Sequence, residues 1–179
     1  AFDLCETEHI FVFPNSSDAI LSAMQAKKLY HKSKVTVINS RGLAECYAVL
    51  PTIDYEQTDI EQVTEDITAI INNLYVVSVA QRDRHIHYRD RDISCDEYYS
   101  FSGKELITIS KSIEETALQT IVKVRTRQDK DIITIFYKSH VGLELVNSII
   151  DSAERQGVDA EFFCVCADCL PCEMTISFE

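Results

Sequence analysis

Four cysteines near the end of this 179-residue sequence form its sharpest chemical pattern. They follow the spacing C-x-C-x2-C-x2-C, as Cys164, Cys166, Cys169 and Cys172. Two thiolates on a strand and two in a following turn can approach a tetrahedral shell around a soft ion such as zinc. Four ligands within nine residues leave little backbone to wrap the ion, so free thiols, packed at a loop or prone to oxidation, are the alternative. The pattern therefore predicts a candidate zinc site.

A polar segment at residues 82–92, with the sequence RDRHIHYRDRD, carries two closely spaced histidines. In one continuous strand, His85 and His87 would point to the same face and could bind a metal ion together. Two histidines without a third ligand nearby do not make a complete site. Basic and acidic residues also alternate closely here, so their charges largely cancel. This favours a solvated hairpin with salt bridges over a nucleic-acid surface.

The turn at residues 14–18, PNSSD, could present backbone N–H groups to a ligand. It follows an apolar run and precedes a helical pattern, which places it at the carboxyl edge of a parallel sheet, where ligands of open α/β folds usually bind. Asn15, Ser16 and Ser17 are natural helix N-caps, and capping alone is the alternative role. Asp18 would oppose a phosphate. We therefore predict Asn15 and Ser16 as polar contacts for a ligand or a partner.

Familiar catalytic patterns are absent from the sequence. It contains no G-x-x-x-x-G-K-[ST] loop, no G-x-G-x-x-G, no G-x-S-x-G elbow and no H-E-x-x-H. We therefore expect no catalytic residues and no complete nucleotide site in this chain.

Composition narrows the class of partner. A formal net charge of −12 at pH 7 argues against nucleic acid and anionic membranes, because both need a basic surface. No run approaches the roughly 18 apolar residues of a membrane span, and the start of the chain lacks a signal-peptide pattern. Seven cysteines, an odd number, fit reduced thiols better than a secreted disulfide framework. We therefore predict a cytoplasmic protein.

The first part of the chain has the pattern of a β-α-β unit. The apolar run at residues 10–13 lacks polar alternation, as expected of a strand covered on both faces. Apolar residues then recur at helical spacing as Ala19, Ile20, Ala23 and Met24, and a second apolar run stands at residues 35–38. Strand, helix and strand in this order predict a parallel sheet with helices on its faces.

The remaining patterns predict helices and strands in two lobes. Helical spacing marks residues 43–50, 60–74, 113–124 and 145–153, and Gly157 is placed to end the last of these helices. Apolar runs predict strands at residues 75–80, near 98, and at 106–109, 132–137, 160–164 and 174–178. We predict an α/β fold with a parallel β-α-β lobe at residues 1–74 and a mixed α+β lobe at residues 75–179.

The order of these motifs resembles that of one protein family. FVFPNSSDAILSAMQAKKL followed by KVTVI is similar to the strand, Leu-Pro-Asn-Asn turn and helix in the C-terminal region of bacterial fatty acid kinases, which are dihydroxyacetone-kinase-like proteins. Arg82 and Asp83, in VAQRD, fall where that family has an Ala-Val-Arg-Asp strand. FSGKELI, DIITIFYKSHV and TISFE resemble its Gly-Lys-Ile-Val hairpin, its Ile-Ile-Thr-Ile-Phe-Tyr-Gly strand and its closing Leu-Ile-Ser-Val-Glu. The likeness covers nearly the whole chain in order.

This resemblance implies a two-lobed DegV-like (EDD-type) fold and a role without catalysis. In such a protein a separate N-terminal domain binds ATP and magnesium and phosphorylates a fatty acid, which a DegV-like fatty-acid-binding protein carries. The C-terminal domain docks that carrier. The expected partners are therefore the DegV-like carrier, the chain's own N-terminal kinase domain and, in a homodimer, a second copy. Arg82 and Asp83 join Asn15 and Ser16 as expected ligand or partner contacts.

Some features depart from the family pattern. The Gly-Gly-Gln-Thr-Met-Asn-Pro stretch expected before the first strand is absent, so we expect the chain to be a piece of a longer protein. Cys46 and Lys138 stand where the family usually has Gly, and the four cysteines fall where relatives carry a Gly-rich, aromatic loop. Two alternative functions therefore stay open. One is binding of a lipid or carbonyl ligand in a cleft between the lobes, and the other is metal binding by the cysteines.

Overall fold

The computed structural model describes residues 1–54, 56–81, 85–88 and 91–179, with the backbone alone at Ile86 and Arg91. These residues form two units, Ala1–Leu74 and Tyr75–Glu179, which we call the first and the second lobe. Each lobe contains helices and strands and has a hydrophobic cluster of its own.

The first lobe is a β-α-β unit followed by further helices. Its elements have the bounds β1 His9–Val12, α1 Ser17–Leu29, β2 Lys34–Val37, α2 Leu43–Val49 and α3 Ile60–Asn73. Short 3-10 segments also occur at Phe2–Leu4 and Leu50–Thr52. Strands β1 and β2 pair in parallel, with Ile10 opposite Val35. The predicted parallel pair with a helical crossover is confirmed.

Polar side chains set the starts of two helices in the first lobe. Ser16 has an extended backbone, and its hydroxyl accepts a hydrogen bond from the Ala19 N–H at 3.2 Å, so it caps α1. Asp59 caps α3 in the same way, because one carboxylate oxygen accepts from the N–H groups of Glu61 and Gln62. These contacts satisfy N–H groups that have no partner within the first turn of a helix.

The hydrophobic core of the first lobe is small. Ile38, Val49, Val63 and Ile67 are buried and pack together, and the last two lie one turn apart on α3. Helix α1, by contrast, has no buried residue along its length, all of which the structure describes. None of the helices in the described part of the chain combines the length and apolar content that a membrane crossing needs.

The second lobe is built on a mixed sheet. Its strands are β3 Tyr75–Gln81, β4 Ile86–Tyr88, β5 Arg91–Ile93, β6 Tyr98–Ser102, β7 Glu105–Ser110, β8 Ile132–Tyr137, β9 Glu161–Cys166 and β10 Met174–Phe178, and its helices are α4 Ile113–Arg127 and α5 Leu143–Arg155. The described strands form a six-stranded sheet in the order β7-β6-β3-β10-β8-β9 and a separate hairpin, β4–β5. Strands β8 and β9 are parallel and the other neighbours antiparallel.

One face of the large sheet packs against α4 and α5. Ile135 of β8 and Ile176 of β10 are fully buried there with Ile121 of α4 and Ile149 of α5. Because strand side chains alternate between faces, every second residue of these strands joins this core. The apolar residues whose helical spacing predicted α4 and α5 lie on the helix faces that this core buries.

The predicted fold class is confirmed. The observed structure differs from the sequence-based prediction at the ends of some strands and helices. Strands β8 and β10 have the predicted bounds, whereas β9 continues to Cys166 because it pairs with β8 as far as Tyr137. Helix α4 is capped by Ser112, whose hydroxyl accepts a hydrogen bond from the Glu115 N–H. Within its described residues, the polar segment forms the β4–β5 hairpin and not one continuous strand.

Candidate functional site

The turn after β1 is held from inside the first lobe. The fully buried Ser40 hydroxyl donates a hydrogen bond to the Pro14 carbonyl at 2.7 Å. The Ile38 N–H donates to the Val12 carbonyl at 2.9 Å, so the ends of both parallel strands are tied together. The turn therefore lies at the carboxyl edge of the parallel pair, which is where ligands of α/β sheets usually bind.

Asn15 and Ser16 have different roles in this turn. The Ser16 hydroxyl is occupied in capping α1. Asn15 is exposed, and its side chain makes no hydrogen bond to any residue that the structure describes. Asp18 lies in the first turn of α1, where its charge would oppose an anionic ligand. Asn15 is therefore available to a ligand or partner, and the turn is not suited to a phosphate.

Other residues singled out in the sequence lie in and around the hairpin β4–β5. Arg82 and Asp83 follow the end of β3 in the sequence and lie outside the described residues. His87 lies in β4, and its Nδ1 is 2.6 Å from a carboxylate oxygen of Asp92 on β5. His85 is exposed just before β4. The described residues thus form a solvated hairpin with a salt bridge.

The four cysteines are spread over a strand, a turn and a buried position. Cys164 and Cys166 lie in β9, and Cys169 is exposed in the turn that follows. The Cys172 thiol is buried and donates to the Met174 carbonyl at 3.2 Å. Burial also raises the pKa of the Cys164 thiol, which disfavours the thiolate that a metal ion needs.

A zinc site would require Cys172 to leave its present contact. Among the residues that the structure describes, no three or more His, Cys, Asp or Glu side chains are placed to hold a metal ion together. Zinc binding by these cysteines stays a prediction, and elemental analysis of protein purified under reducing conditions with added zinc checks it.

A cluster of charged side chains lies at the carboxyl ends of β8 and β9, and of its members the sequence had drawn attention to Lys138 alone, as a departure from the family pattern. The Glu173 carboxylate contacts two basic groups, His140 Nε2 at 2.5 Å and Lys138 Nζ at 3.5 Å. Asp168 accepts a hydrogen bond from the Ser139 N–H at 2.7 Å. We call Lys138, His140, Asp168 and Glu173 the edge cluster.

Backbone hydrogen bonds fix the loops that carry the edge cluster. The Lys138 N–H donates to the Glu173 carbonyl at 3.2 Å, and the Ala167 N–H donates to the Tyr137 carbonyl at 2.8 Å. Gly142 has a φ of +81°, a conformation open to glycine, and it stands where the loop passes into α5. The segments after β8, after β9 and before β10 are therefore joined at one edge of the sheet.

The surroundings of Asp168 favour its charged form. The hydrogen bond from the Ser139 N–H lowers the pKa of the Asp168 carboxyl, and the charges of His140 and Lys138 lower it further. The Glu173 carboxylate is about a quarter exposed, whereas the His140 imidazole is 64% exposed. The cluster therefore presents an imidazole to solvent, oriented by a carboxylate behind it, and this imidazole can contact a partner.

Part of the edge cluster could have been predicted from the sequence. Lys138, Ser139 and His140 directly follow a buried strand, which is the position where parallel sheets place functional residues. Asp168 and Glu173, however, are 29 and 33 residues away from their respective partners Ser139 and His140. The pairing of β8 with both β9 and β10 brings these segments together.

Comparisons with known proteins agree on one family and one fold. Residues 1–168 match the family that comprises the C-terminal region of FakA-like fatty acid kinase proteins. A comparison with curated proteins finds no match. Solved structures of DegV-family proteins share the fold, at low sequence identity.

Three solved structures are similar to nearly the whole chain. The Streptococcus pneumoniae fatty acid kinase B3 protein, loaded with linoleic acid, is 14% identical with a TM-score of 0.68, covering 99% of this chain and 74% of that chain. A Eubacterium eligens DegV-family protein loaded with heptadecanoic acid is 15% identical, with a TM-score of 0.67 over 98% and 74%. A Thermotoga maritima protein described as having a fatty acid binding function is 11% identical, with a TM-score of 0.67 over 99% and 70%. At these identities the likeness shows the fold alone.

Proposed function

Because this chain belongs to the C-terminal family of FakA-like fatty acid kinases, we propose that it is a non-catalytic domain that binds a DegV-like fatty-acid-binding protein. A separate N-terminal domain of the same protein would bind ATP and magnesium and phosphorylate the fatty acid that this carrier holds. The chain's own part is to hold the loaded carrier close to the kinase domain, which raises the effective concentration of the fatty acid there.

The family match carries this proposal, because it spans residues 1–168 and so covers nearly the whole chain. The absence of nucleotide-binding and nucleophile motifs from the sequence agrees with a binding role. Exposed polar groups at strand ends, such as Asn15, His140 and Asp168, are suited to contact another protein.

The residues that we propose as partner contacts differ in the evidence that supports them. Asn15 is exposed and lacks an internal partner within the described residues, so it can donate and accept hydrogen bonds across an interface. Ser16 contributes indirectly, because its hydroxyl caps α1, the helix that follows Asn15 in the sequence. Arg82 and Asp83 are proposed from the family resemblance alone.

The test is a binding measurement between the full-length protein and a DegV-like fatty-acid-binding protein from the same source. We expect calorimetry to show binding of the fatty-acid-loaded carrier, and N15A to weaken it about fivefold to tenfold, as for an interface residue of moderate importance. S22A is the matched control, because the exposed Ser22 hydroxyl donates to the Asp18 carbonyl within α1.

The wild-type result decides the proposal. A wild-type protein that does not bind the carrier in calorimetry or in a pull-down contradicts it. The fold likeness to structures holding linoleic and heptadecanoic acid keeps a second candidate function open, in which this chain itself binds a lipid. A fatty acid found by mass spectrometry after extraction of the purified chain would favour that function.

A further inference from the structure

Strand β9 lies at one edge of the six-stranded sheet and, among the described strands, pairs with β8 alone. The N–H groups of Glu161 and Ala167 donate to carbonyls at the two ends of β8, at 2.7 and 2.8 Å. Because successive residues of a strand direct their N–H and C=O groups to opposite sides, Phe162, Cys164 and Cys166 turn theirs away from β8. We call this side of β9 the free edge. The described residues form no hydrogen bond with its backbone groups.

The opposite edge of the same sheet is built differently. Its strand, β7, contains an extra residue, Ile107, where the pairing with β6 shifts in register. The Ile107 carbonyl accepts a hydrogen bond from the Lys123 ammonium at 2.5 Å. Bulges and lysines are devices that keep an edge strand from pairing with another chain. Strand β9 pairs without a shift along all six of its residues and contains no lysine or proline, so it keeps the geometry that a further strand needs.

The side chains of β9 are mostly apolar. Its one charged residue, Glu161, stands at its start. Phe162 and Cys164 pack against the core on the helix side of the sheet, so Phe163 and Val165 lie on the other face. The Phe163 side chain is 47% exposed there. An exposed aromatic ring beside unpaired backbone groups offers a further strand both hydrogen bonds and an apolar contact.

From this geometry we propose that two copies of the chain pair through the free edge of β9, antiparallel and about a twofold axis at Cys164. The two six-stranded sheets then become one. Antiparallel pairing matches residues whose N–H and C=O groups face each other, so Phe162 lies opposite the partner's Cys166 and Cys164 opposite the partner's Cys164. Every N–H group of the free edge then has an acceptor. This inference is independent of the proposed function.

The sequence of β9 suits pairing with itself. In this register Phe163 lies opposite the partner's Val165, and an aromatic side chain opposite a β-branched one is a favourable pair across two strands. The symmetry forms this pair twice. Glu161 lies opposite the partner's Ala167, so the one charge of the strand does not face its own copy. A second copy therefore supplies a strand that fits the free edge in both backbone and side chains.

The charge of the whole chain sets the expected strength of this dimer. Each copy has a formal net charge of −12, which opposes association. The attraction comes from backbone hydrogen bonds and apolar side chains along six residues, which is a short interface. We therefore expect a weak dimer that forms at high protein concentration and that added salt strengthens, because salt screens the repulsion.

The test is sedimentation equilibrium of the chain over a range of protein concentrations, at low and high salt. F163K places a lysine on the exposed face of the edge strand. L143K is the matched control, because Leu143 is 49% exposed and begins α5, on the helix side of the sheet. We expect F163K to weaken the dimer about tenfold or more and L143K to change it less than about twofold.

Hydrogen exchange followed by mass spectrometry locates the interface. In the dimer the N–H groups of Phe162, Cys164 and Cys166 are hydrogen-bonded, so peptides covering β9 should exchange more slowly as the protein concentration rises. F163K should lose this dependence on concentration. Circular dichroism checks that F163K is folded, and the exchange of the wild type decides the question if it is not.

Several results would overturn the inference. One is a chain that stays monomeric at high concentration and high salt. Another is a dimer that folded F163K leaves unchanged, or in which β9 gains no protection. Protection of β9 that appears only when the DegV-like carrier is added to a monomeric chain would assign the free edge to the carrier, which contradicts this inference and supports the proposed function.

Discussion

His9, at the start of β1, is a histidine whose surroundings favour the neutral ring. Its Nε2 lies 2.8 Å from the Thr36 hydroxyl, and its Nδ1 is buried without a hydrogen-bond partner among the described residues. Burial lowers the pKa of His9, and the nearby charges of Lys34 and Lys27 lower it further. Lys34 is effective because it lies directly opposite His9 in the parallel pair.

This histidine makes stability depend on pH in a definite direction. In the unfolded chain the pKa of histidine is about 6.5, and in the folded chain that of His9 is lower. As the pH falls below about 6.5, the unfolded state therefore binds the proton first, and stability is lost. We expect H9Q, which cannot titrate and can still reach Thr36, to lose less stability than the wild type between pH 8 and pH 5.5, measured by urea unfolding followed by circular dichroism.

A matched histidine variant isolates the effect of His9. H31Q makes the same substitution at an exposed histidine of the same lobe, so its stability curve is compared with those of the wild type and H9Q. If the wild type and H9Q lose stability in parallel as the pH falls, His9 does not carry the effect.

At the scale of the element, α4 packs on β6 and β7 partly through hydroxyl groups. The fully buried Thr120 places its Oγ1 2.7 Å from Ser100 Oγ, 3.0 Å from Thr108 Oγ1 and 2.6 Å from the Thr116 carbonyl. The sequence predicted α4 from its apolar residues, and Thr116 and Thr120 did not enter that pattern because they are polar. A search for apolar residues with a period of 3.6 identifies the apolar face of a helix. It cannot identify polar side chains that form hydrogen bonds with one another inside the core.

We predict that T120V destabilises the protein by about 1–3 kcal/mol, because valine keeps the shape but leaves the buried hydroxyls of Ser100 and Thr108 without this partner. Urea unfolding followed by circular dichroism measures the change. T126V is the control on the same helix, since the Thr126 hydroxyl is exposed and donates to the Val122 carbonyl. Equal losses for T120V and T126V would show that the buried hydroxyl network contributes no stability of its own.

Helix starts were easier to predict from the sequence than strand ends, for a physical reason. Ser16 and Ser112 form their caps with N–H groups three residues along the chain, so the signal is local. The end of β9 depends instead on β8. Similarly, the pairing of β7 with β6 shifts in register so that Ile107 is an extra residue, a β-bulge that depends on both strands. Such pairings depend on residues that are far away in the sequence. The local sequence pattern therefore predicted neither the end of β9 nor the bulge in β7.

At the scale of the whole molecule, local sequence patterns were enough to predict the fold, whereas the candidate sites depend on tertiary pairing. The order of strand and helix patterns was enough to predict an α/β fold with a parallel first lobe. The edge cluster could not be predicted, because Lys138 and Glu173 meet only after β8, β9 and β10 have assembled. A pocket of the second lobe likewise needs Ile93 of one hairpin and Phe101 of another. Sites formed by tertiary pairing leave little trace in local spacing.

The two lobes should also differ in how readily their backbone opens. In the second lobe β10 lies between β3 and β8, and all five of its residues are buried. In the first lobe the described sheet consists of β1 and β2, and α1 buries no residue. Amide exchange is slowest where opening must expose a large core and fastest where few buried contacts are lost. The burial pattern therefore predicts slow exchange in β10 and β8 and fast exchange in α1.

Hydrogen exchange followed by mass spectrometry checks this order on the intact chain. Peptides covering β8 and β10 should retain amide hydrogens longest, and peptides covering α1 should lose them first. The central strands serve as the internal control, because their exchange should change little when the carrier is added, whereas peptides that contact it gain protection. Protection of α1 equal to that of β10 in the chain alone would contradict the prediction, since it would require contacts on α1 that its exposed residues do not make within the described structure.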